Sequence, residues 1–172
     1  VLSKNLAIIG RLENLAPGEK IYSARFMGER CYLVTFKKVD PLFVISLEDP
    51  ANPEVLGKLK IPGYSDYLHP YDENYLIGVG KETVEASEGD FAWYQGLKLS
   101  LFDVSNVNEP KQLSNYTIGD RGTDSPVLSD PKAFLFDPKY WALTIQSPAL
   151  RANSSNVWSL LHFLSFRQMR TP

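Results

Sequence analysis

The sequence predicts an all-β fold built from antiparallel hairpins. Short runs rich in Val, Ile, Leu, Phe and Tyr alternate with Gly, Pro, Asn and Asp, as strands and turns do. No stretch before residue 150 has the 3.6-residue apolar period of a helix. Aromatic residues make up 12% of the chain, which also favours strands. The 172 residues suggest one domain, or part of a larger one, with a sizeable core.

The individual strands are predicted from these runs in chain order. They lie at 6–10, 21–26, 31–36, 42–47, 55–61, 75–80, 98–104, 112–118, 133–137 and 140–145. Turn chemistry separates them, for example Ala-Pro-Gly at 16–18 and Asp-Pro-Ala-Asn-Pro at 49–53.

One strand–turn–strand phrase occurs twice. The segment 42–61 recurs at 99–118, a shift of 57 residues. Four positions are identical in the two copies: Leu42, Pro53, Leu56 and Ile61 recur as Leu99, Pro110, Leu113 and Ile118. The proline falls in the turn, where its fixed φ and missing N–H cost no ladder hydrogen bond.

A second phrase interleaves with the first and starts at Ser23, Ser65 and Ser125. Each serine begins a short apolar strand, then a polar turn, then an aromatic residue followed by Leu. One full unit is therefore two hairpins, or four strands.

Four strands in about 40 residues are typical of a β-propeller blade. A β-sandwich is the alternative, but it would not repeat a four-strand phrase in register. We therefore predict β-propeller blades of four antiparallel strands, about three of them, forming a partial propeller. A single domain, 1–172, would comprise blade units of approximately 6–61, 62–118 and 119–172, with an acidic and aromatic insert at 81–96.

The segments 10–80 and 97–138 resemble a family of secreted or surface-attached archaeal and bacterial proteins. Their C-terminal β-propeller domain is distantly similar to WD-repeat propellers. The resemblance covers about the first 145 residues and implies a propeller fold in an extracellular or cell-surface setting. It implies no established activity, so no catalytic residue is transferred. A family member would run on through further blades, whereas this chain stops in its third unit.

Ring closure is the second expectation from the repeat, because propellers normally need four to eight blades. The open ends would be covered by further blades, by self-association, or by the apolar C-terminal segment 155–172. Three conformations fit that segment: a buried strand, a helix packed on an open blade, or a non-native end. The chain begins without Met, as a processed product or an excised piece would.

Charge and composition exclude some partners. Eighteen basic residues face twenty acidic ones, with no basic stripe, so we predict no nucleic-acid partner. No apolar run reaches the roughly 18 residues of a membrane span, so no transmembrane segment is predicted. The single cysteine, Cys31, lies in an apolar run and is predicted to be a buried apolar side chain.

The motifs that resemble enzyme signatures are incomplete. The run 63–67, GYSDY, has Tyr67 where a hydrolase turn needs Gly, and 78–83, GVGKET, has Thr83 where a dinucleotide loop needs its third Gly. We interpret 78–83 as a strand end. The two histidines, His69 and His162, are not in a triad setting, and no Cys/His cluster suggests zinc. We therefore predict no catalytic residue and no cofactor.

The loop 119–125, GDRGTDS, is the first candidate ligand site, with Asp120, Arg121 and Asp124 between glycines. We interpret it as a tight turn between blades in which Arg121 pairs with a carboxylate. Calcium binding is the alternative, because oxygen ligands at such spacing suit Ca²⁺.

Further candidates lie outside this loop. The insert 81–96 is interpreted as a solvated acidic loop, whose aromatic tail, with Trp93 and Tyr94, could reach over a propeller face to a ligand. His69 is predicted to make a local hydrogen bond beside a turn, with ligand contact or metal binding as the alternative. Asn115 and Asn153 each begin a glycosylation triplet.

The favoured function is a non-enzymatic extracellular binding module for a surface protein or a glycan. The alternative is a hydrolase or lyase, or the accessory propeller of one. Its distinguishing feature would be carboxylates that converge beside a cleft, for example Asp120 and Asp124 with Asp66 or Asp72. A structural role in a cell-surface layer is the third possibility.

Overall fold

The computed structural model describes residues 1–36, 40–85, 92–137, 142–148 and 159–165. Within them lie three antiparallel sheets and two 3₁₀ helices, with no α-helix in these ranges. The strands are β1 (Lys20–Met27), β2 (Arg30–Phe36), β3 (Asp40–Ser46), β4 (Glu54–Ile61), β5 (Tyr64–Pro70), β6 (Tyr75–Glu85), β7 (Ala92–Asp103), β8 (Lys111–Ile118), β9 (Phe134–Asp137), β10 (Ala142–Pro148) and β11 (Ser159–Ser165).

Each sheet follows chain order. Strands β1 to β4 form blade 1, β5 to β8 form blade 2, and β9 to β11 form blade 3. The predicted all-β class with four-stranded antiparallel blades is thus confirmed in the first two sheets. Asx-type turns stabilise the hairpin tips: the Asp72 carboxylate accepts from the backbone N–H of Asn74 (2.7 Å) and Tyr75 (2.9 Å).

The core lies between the blades. One cluster joins blade 1 to blade 2, with Tyr32 and Val44 from one sheet and Leu76 and Phe102 from the other. Another cluster joins blade 2 to β9 and the preceding 3₁₀ turn. Leu99 of blade 2 and Phe134 of β9 belong to it. Central strands are apolar on both faces because each blade is covered on both sides.

The other face of blade 1 is covered by the N-terminal segment. Leu15 and Ala16 pack over Cys31, Phe43 and Ile45. Cys31 is only 6% exposed, which confirms the predicted buried side chain.

Two predicted strands are wrong. Residues 6–10 form no strand, since only Ile8 bridges to Leu2 and Leu6 adopts a left-handed φ of 64°. The apolar run after Ser125 is a 3₁₀ turn (Pro126–Leu128) because the Ser125 hydroxyl accepts from the Val127 N–H and Pro126 has no N–H for a ladder.

The insert 81–96 is not simply a loop. It lengthens the β6–β7 hairpin, with Thr83 opposite Tyr94 and Val84 opposite Trp93, while 86–91 lies outside the described residues. The C-terminal segment resolves to the strand alternative over Ser159–Ser165, where β11 pairs with β10. The rest of 155–172 lies outside the described residues. Across the parts of the chain described, no helix is long and apolar enough to cross a lipid bilayer.

The first strands of blades 1 and 2 lie side by side. The Ser23 hydroxyl donates to the Ser65 carbonyl across them (2.7 Å). Each of these two strands contains a bulge near its start, at Tyr22 in β1 and at Asp66 in β5. A bulge redirects a side chain away from the regular alternation, so both residues are re-aimed at the same end of the strands.

Candidate functional site at the mouth of the blades

The candidate site lies at the edge of blade 2 where β5 begins. Because the strands are antiparallel, β6 ends, β7 begins and β8 ends at this same edge. The hairpin extension and the 119–125 loop therefore meet the start of β5. We call this region the mouth and define it by Tyr22, Tyr64, Asp66, Lys81, Tyr94 and Asp124.

An aromatic cluster surrounds Tyr64. Its ring centroid lies 4.4 Å from that of Tyr22, 4.7 Å from that of Phe36 and 5.7 Å from that of Tyr94. The residue is only 8% exposed, yet its hydroxyl has no hydrogen-bond partner among the described residues. Burial, then the nearby Asp66 carboxylate, raise the pKa of Tyr64 well above its usual range, so the phenol stays protonated.

Asp66 is the acidic group of the mouth. Burial is the main reason that its pKa is raised to about 7; the Lys81 ammonium opposes this rise and the Asp124 carboxylate adds to it. Among the described residues its half-buried carboxyl has neither a hydrogen bond nor an ion pair. Near neutral pH it is therefore present in both protonation states, as a donor and as an acceptor.

Lys81 joins the mouth to the following loop. Its ammonium donates to the Thr123 carbonyl and lies 3.3 Å from the Asp124 carboxylate. Behind it, the buried Lys98 donates to the Pro62 carbonyl and lies 3.5 Å from Glu82. Both ammonium groups are thus engaged by protein atoms.

The 119–125 loop forms tight turns, as predicted. Gly119 (φ 65°) and Gly122 (φ 95°) take left-handed conformations that favour glycine, and the Thr123 N–H donates to the Asp120 carbonyl. The carboxylate pairing predicted for Arg121 is not found among the described residues. Its guanidinium instead lies 4.7 Å from the centroid of the Trp93 ring, a cation–π contact.

The structure brings together five of the six candidate residues and separates the sixth. Arg121 lies on Trp93, and Tyr94 contacts Tyr64. Asp124 lies beside Lys81, and Asp120 is exposed in the same loop as Arg121 and Asp124. All five residues therefore lie at the same edge of blade 2. His69 lies near the far end of β5, about 16 Å away at the usual rise per residue.

The remaining predicted positions are less informative. Asn115 is exposed on β8, and its glycosylation stays a prediction. Asn153 lies outside the described residues, and so does the side chain of His162. In the described parts of the chain, no three His, Cys, Asp or Glu side chains are grouped to hold a metal ion, and calcium binding stays untested.

The two enzyme-like motifs lie within blade 2. Ser65 is buried in β5 and is followed by more strand, not by the helix of a nucleophile turn. The run 78–83 lies inside β6, not at its end, and a Cβ at Gly80 would collide with the Tyr64 carbonyl. Glycine is thus needed there for strand packing.

Comparison with known proteins decides the family. A family model described as a β-propeller domain matches residues 1–167. The chain belongs to the β-propeller domain family. The propeller is 46% identical over 140 residues to an uncharacterized protein of Methanocaldococcus jannaschii and 41% identical over 140 residues to one of Archaeoglobus fulgidus.

Each of these matches covers 81% of the propeller chain, but only 21% and 20% of the respective relative. The chain therefore spans about a fifth of the length of these curated relatives. No solved structure matches it.

Sequence reasoning missed three residues of the propeller's mouth, Tyr22, Tyr64 and Lys81, and named Asp66 only as a carboxylate of the hydrolase alternative. One signal was available, because Tyr directly precedes Ser in both the first and the second unit, as Tyr22-Ser23 and Tyr64-Ser65. The bulge that makes Asp66 an unpaired residue of β5 has no such signature.

Proposed function

We propose that the propeller is a non-enzymatic binding module that acts outside the cell and holds its ligand at the mouth. One observation carries the proposal: the hydroxyl of the buried Tyr64 and the half-buried carboxyl of Asp66, both on β5, lack hydrogen-bond partners within the described residues. Buried polar groups are normally hydrogen-bonded, so a ligand that supplies those bonds is favoured here. The extracellular setting rests on the resemblance to secreted and surface-attached proteins.

Binding accounts for the mouth without chemistry. A nucleophile needs an adjacent base that is held by a third group. In the described part of the mouth, neither a histidine nor a cysteine lies beside Tyr64 and Asp66. The paired Lys81 and Asp124 instead hold the loop against β6, which is a positioning role.

The test is capture from a cell-surface extract. We would immobilise the propeller and a variant in which Asp66→Asn and Tyr94→Ala alter the mouth, and analyse both proteins and glycans that are retained. The proposal predicts a specific component that the variant loses. Equal retention by both forms, or none at any salt concentration, contradicts the proposal.

A hydrolase or lyase remains the second candidate, because the structure brings Asp66 into the electrostatic range of Asp124 and raises its pKa to about 7. A carboxyl of that kind is what general acid catalysis needs at neutral pH. A panel of glycoside and peptide substrates tests this candidate. Turnover that Asp66→Asn abolishes would replace the binding proposal with catalysis.

Ring closure is a further part of the proposal. Ile21 and Phe26 on β1 are 68% and 67% exposed, on the face of blade 1 turned away from blade 2. Propeller blades bury both faces, so a further blade or a second copy would cover these side chains. Light scattering with a hydrophobic dye distinguishes a dye-silent assembly from a dye-binding, open chain.

A further inference from the structure

Resting on the proposed function, we infer that the mouth binds a neutral carbohydrate. The hydroxyl groups of the sugar hydrogen-bond to Tyr64 and Asp66, and the sugar ring packs on Tyr94.

The first support is the hydrogen-bonding capacity left open at the start of β5. The Tyr64 hydroxyl is one donor and acceptor, and the Asp66 carboxyl adds two oxygens; among described residues neither group is satisfied. Both groups are rigid, because Tyr64 is packed between Tyr22 and Phe36 and Asp66 is fixed in the strand. A ligand with several adjacent hydroxyls matches such a fixed, mixed set of donors and acceptors.

The second support is the charge of the site. An anionic ligand would need a cation that the protein leaves available. Lys81 is held by Asp124 and Thr123, Lys98 by Glu82 and Pro62, and Arg121 lies on Trp93. The mouth as defined thus has one cation, Lys81, which is already paired, against the carboxyls of Asp66 and Asp124, so it favours a neutral ligand over a phosphate, a sulfate or a uronic acid.

The third support is an exposed aromatic ring next to those polar groups. Tyr94 is 47% exposed, although its ring contacts that of the buried Tyr64. Aromatic faces carry partial negative charge and attract the polarised C–H groups on one face of a sugar ring. Adjacent positions on β7 direct their side chains to opposite faces of the hairpin, so Trp93 lies away from Tyr94 and packs under Arg121 instead.

A protein ligand fits the mouth less well. Stable protein interfaces bury about 800 Å² per partner over some 20–30 residues. Around the described mouth, the exposed apolar side chains are Ile21, Val84, Trp93 and Tyr94, too few for the core of such an interface. A site with a few aromatic rings and convergent polar groups is instead typical of a small ligand.

The test is direct binding to an array of immobilised neutral, uronic-acid-containing and sulfated oligosaccharides. We expect binding to neutral members only. Tyr64→Phe should weaken it about 3- to 10-fold, the effect of losing one hydrogen bond. Tyr94→Ala should weaken it about tenfold or more by removing a stacking surface.

A matched control is Tyr32→Phe. This removes another buried, unpartnered phenol hydroxyl of the same blade interface, but near the opposite end of the strands. It should leave carbohydrate affinity unchanged. Because both Tyr→Phe variants keep the aromatic ring, loss of folding, monitored by circular dichroism, would not explain a difference between them.

The outcomes separate the inference from the proposed function. Binding restricted to acidic oligosaccharides, or equal loss in Tyr64→Phe and Tyr32→Phe, overturns the carbohydrate assignment. Capture of a protein through the mouth without any carbohydrate binding also overturns it, but leaves the binding module intact. If the mouth variants change neither carbohydrate nor protein binding, both are wrong.

Discussion

The two ends of β5 use similar side chains for opposite purposes. At the start, Tyr64 is buried and Asp66 is half-buried, and neither side chain has a described hydrogen-bond partner. Towards the end, Tyr67 and His69 are hydrogen-bonded to each other (hydroxyl to Nδ1, 3.0 Å), and both rings pack on Phe134, with centroids 5.3 and 4.7 Å away. A tyrosine and a titratable residue occur at both ends.

The difference shows what separates core from site in this propeller. At the far end, β9 covers the rings of Tyr67 and His69, and these two side chains hydrogen-bond to each other. The nearby Tyr32 hydroxyl is buried without a described partner, so burial alone does not mark the site. The mouth has the same kinds of side chain but no described covering element. Four experiments can test that contrast.

The largest effect is expected from the covered end. Phe134→Ala should lower the free energy of unfolding by about 3 kcal/mol, because it leaves a cavity beside His69 and Tyr67. Urea denaturation measures the change. Leu135→Ala, the 65% exposed neighbour on the same strand, should change stability by less than about 0.5 kcal/mol. Similar losses for both would mean that blade 3 does not pack here.

The pH dependence of stability should have opposite signs at the two ends. The folded pKa of Asp66 is raised, so its contribution is present at low pH and lost as pH rises from about 4 through 7. Burial and the Arg25 charge lower the pKa of His69, so its contribution is lost as pH falls below about 6.5.

Two variants separate these contributions. The free energy of unfolding of Asp66→Asn, relative to that of the parent protein, should be about 2 kcal/mol higher at pH 8 than at pH 5. This figure is reduced to allow for the solvent around the carboxyl. The parent protein should become less stable as pH falls below about 6.5, and His69→Phe should not show this loss. Denaturation from pH 5 to 8 measures both, and identical profiles for Asp66→Asn and the parent would refute the buried-carboxyl account.

Two matched tyrosine variants on β5 sharpen the comparison further. Tyr67→Phe should cost about 1 kcal/mol, because it removes the hydrogen bond to His69. Tyr64→Phe should cost nothing measurable, because its hydroxyl has no protein partner among described residues. Thermal and urea unfolding compare the pair. A larger loss for Tyr64→Phe would reveal a protein partner at the mouth.

The smallest effect concerns the loop that borders the mouth. Arg121→Gln removes a cation–π contact at an exposed site and should cost about 0.5 kcal/mol. Trp93 lies directly under the guanidinium, so its fluorescence should shift in the variant. An unchanged emission spectrum would mean that the contact is not populated in solution. Lys111→Gln, an exposed change on β8, is the control.

The repeat predicted most of the fold but not the site. Leu42 and Leu99, or Pro53 and Pro110, recur because each blade needs the same apolar faces and turns, and such periodicity is visible in one sequence. The strand predicted after Ser125 in the third unit was wrong for a local reason. The Ser125 hydroxyl accepts a hydrogen bond from the Val127 N–H, so this run forms a 3₁₀ turn. The strand predicted at 6–10 does not form, because among the described residues only the single Leu2–Ile8 bridge pairs with it.

The sequence predicted only those residues of the site that lie in loops or hairpin tips of unusual composition. Asp120, Arg121 and Asp124 stood out between glycines, and Trp93 and Tyr94 at the end of an acidic insert. Tyr64 did not, and Asp66 was named only for the hydrolase alternative, because the environment of both depends on Lys81, Tyr22 and Asp124, which are distant in sequence. Burial and missing partners are properties of assembled blades and cannot be recognised from spacing.

The bulges in β1 and β5 bear on how such a protein can diversify. Tyr22 and Asp66 each stand at the register shift of their strand, so cross-strand pairing does not set the identity of either residue. The flanking residues keep the register, and what limits the extra residue is its packing in the mouth, as for the Tyr22 ring on Phe36 and Tyr64. In this chain one unit already carries a phenol at its bulge and the next a carboxyl. New recognition properties can therefore arise by exchanging single residues at these positions, without redesign of the scaffold.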